Sequence, residues 1–582
     1  MTVQSYVAHS VSLPAAKKPV ITAIRSAAQI EYGEVFTRRW VAEVMLDLAG
    51  YTVDRDLTEL RLMEPACGQG AFLVPAVERL MASAVARGHV IDDRAILLVQ
   101  ACDVQLSNVE RCREAVIAVL LRFGVSYSTA NVLAQSWVCH GDYLLSAQAN
   151  SDLIAEGVRP DFDVIVGNPP YIRFDDIDEG LCRAYRSRWP TMSGRVDVYV
   201  GFYECALRSL KPGGRLAFIC PDRWMRNQYG TALREFVAQS YSVDAVLSVR
   251  NVDVFETPVA AYPAITVLSR GAQRSAVVAE TNRRFAEPSA HELTAWTLQS
   301  NDRTTVGCGY RAFRLPQWFP GDEMWPIGSP ARVSLVKYLN DNFAPLHNLE
   351  TGTRVGIGIT TGADNVYILN EDDPALDGIE SDRLLRLAMA RDTRSGDFVW
   401  GRRYLVNPWS RSGVLVDLAS YPGLANYLAG HRSRLAKRYT AKVNPQNWHR
   451  TVDKVNHDLL SSAKLLVQDM QISLNPVLEN EGCYPHHNLY YIVSSHWDMQ
   501  VLGGILLSRV AQAFVEAYSI RMRGNTLRFQ SQYLKKIRVP DYAQLGQQSK
   551  EALREAFLAR DVEAATAVAL RAYGLDADAL VD

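Results

Sequence analysis

Four consecutive residues, Asn168, Pro169, Pro170 and Tyr171, carry the most readable chemistry in the chain. They follow Val164, Ile165, Val166 and Gly167, an apolar run of the kind that forms a buried strand. Two prolines then stiffen the backbone, because each locks φ and the second also restricts the residue before it. Polar groups are thereby held still at the carboxyl end of a strand. The Asn168 side-chain oxygen and the Pro169 carbonyl can both accept from one amine, and Tyr171 offers a flat apolar surface beside them. Such a corner suits a planar ring that carries an exocyclic NH2. A proline-stiffened turn after a buried strand would have the same spelling, so other segments must decide between the two.

Three further strand ends bear on that choice. Residues 60–63 read as a short strand leading into Glu64, Pro65, Ala66, Cys67, Gly68, Gln69 and Gly70, and then into an apolar-periodic helix. Small residues at a strand-to-helix turn let a ligand approach the backbone and the helix amino terminus, and this turn lacks a Walker lysine. A strand predicted at 96–101 ends near Asp103, a carboxylate placed to accept hydrogen bonds from ribose hydroxyls. A third strand, 137–139, runs into Gly141, Asp142 and Tyr143, a second carboxylate for an adenine amine with an aromatic ring beside it. Each acid alone could equally be a helix cap. Four strand ends in this order argue for a nucleoside-type site.

Together these residues resemble the gamma-group adenine-N6 DNA methyltransferases of restriction-modification systems, and the resemblance spans nearly the whole chain. It implies S-adenosylmethionine as cofactor. Gly33 to Arg38 resembles the amino-terminal motif that packs over the methionine part of that cofactor, with Thr37 in its usual place and Arg38 where the family has proline. By the same resemblance, Glu64, Ala66 and Cys67, with Gly68 in the same turn, hold the methionine moiety, Asp103 the ribose, and Asp142, Tyr143 and Pro170 the adenine. Asn168 and Pro169 would accept from the target amine. Tyr171 and Phe255 would stack on a base rotated out of the duplex, although Phe255 could also be an ordinary core residue. The implied fold is a doubly wound, mostly parallel α/β sheet, the class I S-adenosylmethionine-dependent methyltransferase fold, with one antiparallel strand at its edge. A mixed α+β target-recognition domain follows. The expected division is a catalytic domain at 1–300, a linker at 301–348 and a recognition domain at 349–582.

Composition sets the remaining expectations. The chain has 582 residues, is 48% hydrophobic and carries a formal net charge of -1, so any nucleic-acid surface must come from local charge. Residues 520–538 hold six Arg or Lys and no acid, and 421–458 hold seven against two. Arg521, Arg523, Arg528, Lys535 and Lys536, interleaved with Phe529 and Tyr533, are the expected phosphate contacts to double-stranded DNA. A solvated basic face is the plainer alternative. The large basic carboxyl half favours DNA over ribosomal RNA or a protein glutamine, the other substrates that present a planar NH2, and the presence of Asn168 and Asp142 argues against a non-catalytic relative. Nine cysteines without a CxxC pair suggest reduced thiols. Cys483 with His486 and His487 lacks a partner pair for zinc, so no metal is expected. No stretch is long and apolar enough to span a membrane. The expectation is a cytoplasmic monomer whose restriction endonuclease, if any, is encoded separately, since about thirty residues before the first motif are too few for a nuclease domain.

Overall fold

The computed structural model describes residues 35–145, 162–250, 252–257, 262–326, 330–519 and 526–580. A ten-stranded sheet organises the first half. Its strands are β1 (Leu62–Glu64), β2 (Val99–Asp103), β3 (Val138–His140), β4 (Phe162–Gly167), β5 (Leu210–Pro221), β6 (Tyr241–Ser248), β7 (Pro263–Arg270), β8 (Ala276–Thr281), β9 (Thr304–Gly307) and β10 (Tyr310–Leu315). They lie in the order β3-β2-β1-β4-β5-β7-β6-β8-β10-β9. β3 through β5 pair in parallel, and β6 pairs in parallel with β8. β7 runs antiparallel between β5 and β6.

Alternating apolar residues explain why both faces are covered. On β4, Val164 and Val166 enter one hydrophobic cluster while Ile165 enters the other, and on β5 Ala217 and Ile219 oppose Leu216 and Phe218 in the same way. Helices α1 (Arg39–Leu48), α2 (Leu73–Arg87), α3 (Leu106–Arg122) and α4 (Tyr127–Trp137) pack on the first face. Helices α5 (Glu179–Arg188), α6 (Tyr199–Arg208) and α7 (Thr231–Ser240) pack on the second. α2 presents Leu73, Ala76, Val77, Leu80 and Ala84 at three- and four-residue spacing, and stops at Gly88, whose φ of 71° suits glycine. This is a class I methyltransferase fold.

Two expectations need correction. The antiparallel strand is internal rather than at an edge, because β8, β10 and β9 extend the sheet beyond β6. Strands β9 and β10 also fall inside the stretch expected to be a linker. The later part of that stretch, the helix Pro330–Asn342, contributes Val336 and Leu339 to a third cluster with Phe514 and Leu553 from the carboxyl half. There, two four-stranded sheets carry a mixture of strands and helices. The two halves touch where the Tyr533 hydroxyl donates to Asn227 Oδ1 at 3.1 Å and Arg226 Nη1 reaches the Ser519 carbonyl at 3.4 Å. Among the described residues no single helix is long and apolar enough to cross a membrane.

Candidate active site

The carboxyl ends of β1, β2, β3 and β4 enclose a cavity of about 230 Å3. Thr37, Glu64, Ala66, Cys67, Gly68, Asp103, Asp142, Tyr143, Asn168 and Pro170 all line it. Parallel pairing accounts for the convergence, since it places the loops that leave these strands along one edge of the sheet. The loop after β1 is pinned to β2 by two bonds: Cys67 N donates to the Cys102 carbonyl and Gly68 N to Asp103 Oδ2, each at 2.9 Å. Gly68 and Gly70 have φ of 49° and 95°, and a Cβ on Gly70 would lie 3.1 Å from Val74 Cγ2. The turn therefore needs glycine.

Asn168 is held by its own amide. Nδ2 donates to the Val35 carbonyl at 2.9 Å and to Thr37 Oγ1 at 3.1 Å. A carbonyl only accepts, so the amide nitrogen must face Val35 and the amide oxygen must face away. That oxygen is buried and has no partner within the protein. Glu64 is also buried, with Oε2 unpaired. Burial drives the Glu64 pKa well above 4.5, with Cys67 and Asp103 adding to the effect, while the backbone N–H groups of Leu73 and Phe72 oppose it. The cavity thus holds one buried acceptor, Asn168 Oδ1, and one buried carboxyl oxygen, Glu64 Oε2, that the protein leaves unpartnered.

The segment around Thr37 is tied to the segment around Phe255. Thr37 and Phe255 form an antiparallel bridge, flanked by Arg38 N to the Val254 carbonyl at 3.0 Å and Glu256 N to the Phe36 carbonyl at 2.9 Å. Arg38 adds an ion pair to Asp253 at 2.7 Å. A proline at position 38 could make neither of its bonds. Phe255 is buried, and its ring meets that of Tyr171 edge to face, with centroids 6.2 Å apart and planes at 75°. The two rings are not parallel plates, so a base enters between them only if one ring turns. The Tyr171 hydroxyl donates to the Ile219 carbonyl at 3.2 Å.

Several lining residues escaped the sequence reading. Tyr185 on α5 donates its hydroxyl to Asp142 Oδ2 at 2.6 Å, and Phe202 on α6 packs its ring 5.3 Å from that of Tyr143. Ile172, Leu181 and Val198 complete an apolar wall. Nothing local marks Tyr185 or Phe202. Their helices follow β4 and pack back on the far face of the sheet, which only the assembled topology reveals.

The expected DNA contacts divide. Arg521 and Arg523 lie outside the described residues. Arg528 is ion-paired with Asp469 at 2.7 Å, while Lys535 and Lys536 remain partly or fully exposed. Phe529 and Tyr533, read as surface aromatics, are instead buried in the core. Their alternation with basic residues reflects a chain segment with one face inward. His486 and His487 acquire a third neighbour in Asp364, whose Oδ2 lies 3.1 Å from His486 Nε2, and Cys483 is not in the group. Burial lowers the His486 pKa, and His487 and Arg403 lower it further.

Sheet topology and a cavity at the carboxyl ends of parallel strands are those of the class I methyltransferase fold. Residues 134–255 match the Eco57I restriction-modification methylase family. The type II methyltransferase M.XhoI of Xanthomonas vasicola is 38% identical over 549 residues, covering 94% of this chain and 98% of its own. M.PaeR7I of Pseudomonas aeruginosa is 39% identical over 549 residues, covering 93% and 92%. The solved type IIL restriction-modification enzyme MmeI in complex with DNA aligns over 92% of this chain and 72% of its own with a TM-score of 0.57, a likeness of fold at 11% identity. The chain belongs to the type II methyltransferases of restriction-modification systems, a family of DNA methyltransferases.

Proposed function

We propose that the protein transfers a methyl group from S-adenosylmethionine to the N6 amine of an adenine flipped out of double-stranded DNA. The single observation that carries this reading is the Asn168 amide, whose nitrogen is held by Val35 and Thr37 and whose oxygen is left buried and free to accept. S-adenosylmethionine, when bound, supplies an electrophilic methyl on a sulfonium. The cavity suits such a molecule. Glu64 would take the amino group, Asp103 the ribose hydroxyls, and Asp142, with Tyr143, Pro170 and Phe202, the adenine, and all of them line the cavity.

The adenine amine is a poor nucleophile because its lone pair is delocalised into the ring. Asn168 Oδ1 and the Pro169 carbonyl accept its two hydrogens, draw the nitrogen toward tetrahedral geometry and aim the lone pair outward. Their contribution is orientation and preorganised electrostatics, so neither residue needs to remove the proton before transfer. Tyr171 and Phe255 supply stacking for the extruded base once the edge-to-face pair opens. Residues 349–582 read the target sequence and Lys535 and Lys536 hold phosphates, consistent with a carboxyl half that has sheets and a core of its own. In cells the modification would protect host DNA from a separately encoded endonuclease.

The test is to sequence modified bases in DNA from cells expressing the chain and to analyse its nucleosides by mass spectrometry. N6-methyldeoxyadenosine at one short motif is expected. Methylated cytosine, or methyl transfer to RNA or protein without a DNA product, would refute the proposal.

A further inference from the structure

β4 and β5 run parallel, and β6 runs antiparallel to β7, which is antiparallel to β5. The carboxyl ends of β4, β5 and β6 therefore share one edge of the sheet. Asn168 leaves β4 there, Asp222 directly follows β5, and Arg250 follows β6 by two residues. Asp222 is fully buried between two guanidinium groups. Arg226 Nη2 lies 2.5 Å from Oδ1, and Arg250 lies on Oδ2 with Nε at 2.7 Å and Nη2 at 2.6 Å. The Arg226 side chain is 1% exposed, whereas that of Arg250 is 19% exposed.

One carboxylate between two guanidinium groups leaves a surplus positive charge. Among the described residues, Asp222 is the only carboxylate ion-paired to either arginine. Burial pushes the Asp222 carboxyl up, but the two arginines outweigh it and hold its pKa below the usual value, so the group is an anion. Burial and the nearby Arg250 depress the Arg226 guanidinium. An unbalanced charge in such a place is costly unless an anion completes it. Arg226 is sealed in, and its other contact is the Ser519 carbonyl. Only Arg250 reaches solvent.

The geometry points to an anion site in which Arg250, held in place by Asp222, takes a backbone phosphate of the DNA strand within one or two nucleotides of the target adenine. This rests on the adenine-N6 reading above. Arg250 stands five residues before Phe255, and Asp222 three residues after Ile219, whose carbonyl holds the Tyr171 hydroxyl. The ends of β4 and β6 are three strand spacings apart, about 14 Å. Arg250 turns back across β7 to Asp222 at the end of β5, which neighbours β4, and so lies within a nucleotide's reach of Asn168. With Nε and the buried Nη2 set on the carboxylate, Nη1 is the nitrogen left to meet a phosphate.

The test uses the duplex motif found by sequencing, prepared with a single neutral methylphosphonate at each phosphate within two nucleotides of the target. Wild-type protein should lose about tenfold in binding, read by fluorescence anisotropy, at one of these positions. Arg250→Gln should bind the unmodified duplex about tenfold more weakly, lose about one unit of log-log salt slope, and be nearly indifferent to that same methylphosphonate. Arg250→Lys should recover part of the loss. Indifference of the wild-type protein at every position overturns the proposal, and so does an Arg250→Gln penalty that simply adds to each methylphosphonate. Should Arg250→Gln fail to fold, the wild-type scan and Arg250→Lys still decide. Absence of N6-methyladenine in the unmodified duplex would instead overturn the adenine reading, and the binding scan would still test the phosphate contact.

Discussion

Thr37→Val removes one of the two acceptors that orient the Asn168 amide and leaves the shape of the side chain nearly unchanged. Nδ2 keeps its 2.9 Å bond to Val35 and loses the 3.1 Å bond to Thr37 Oγ1. A neutral hydrogen bond of this kind is worth about 1 kcal/mol, which corresponds to a roughly fivefold fall in the transfer rate if the whole effect passes through Asn168. Asn168→Ala removes the acceptor itself and should lower the rate by roughly 10²–10³, the range seen when one preorganised hydrogen-bonding group is removed at a reacting centre. The assay is single-turnover transfer of labelled methyl with both cofactor and duplex saturating, so that weaker binding does not enter the rate. Cofactor affinity, titrated separately, should largely survive in Asn168→Ala. The double variant is decisive. With no amide left to orient, Thr37→Val should add almost nothing to Asn168→Ala. If it still costs fivefold there, Thr37 acts on the cofactor or the backbone, and the account of Asn168 is wrong.

Tyr185→Phe removes the 2.6 Å bond to Asp142 and should weaken S-adenosylmethionine binding by about fivefold to tenfold, measured by calorimetry, with the saturated rate nearly unchanged. The Glu64 pKa is raised by burial in the free protein, so binding the cofactor's cationic amino group should release a proton and affinity should rise with pH. Calorimetry in buffers of different ionisation enthalpy would show no buffer dependence if Glu64 were already charged. Because the native state binds this proton more tightly than the unfolded chain, the ligand-free protein should also lose stability as pH rises above about 4.5, and Glu64→Gln should remove that slope in thermal melts. Phe255→Ala should reduce turnover by an amount equivalent to about 1–3 kcal/mol and lower the fluorescence of 2-aminopurine at the target, and an unchanged signal would take Phe255 out of the base pocket. Lys535→Gln should reduce the salt slope of DNA binding by about one unit, whereas Arg528→Gln should change it less, because Asp469 already neutralises Arg528.

The position of the cavity was legible in sequence because it is built from strand ends. Each of its acids and lining glycines sits within five residues of the end of an apolar run, and parallel pairing then brings such ends together whatever the details of the helices. Tyr185 was not legible, since its partner Asp142 is 43 residues away and the two meet only when α5 folds back. The bridge from Thr37 to Phe255 spans an even longer separation in sequence and involves backbone groups, which carry no residue signature. The basic run at 520–538 misled in part for a related reason. Alternating charged and aromatic residues describes a half-buried segment as well as a nucleic-acid surface, and here Phe529 and Tyr533 are the buried face of the segment that carries Lys535 and Lys536. The internal position of β7 was missed because strands β8 to β10 give no indication in sequence of which sheet they will extend.

The short ladder at Thr37 and Phe255 makes one mechanical unit of two loops that face different ligands. Thr37 lines the cavity proposed for the cofactor, and Phe255 stands against Tyr171 where the base is proposed to enter. Anything that stiffens one strand of so small a ladder stiffens the other. Occupancy of the two sites is then reciprocal: whatever factor the cofactor adds to the affinity for extruded base, the base returns to the cofactor, as closure of the thermodynamic square requires. Arg38 fastens that ladder at one end through both its backbone N–H and its guanidinium.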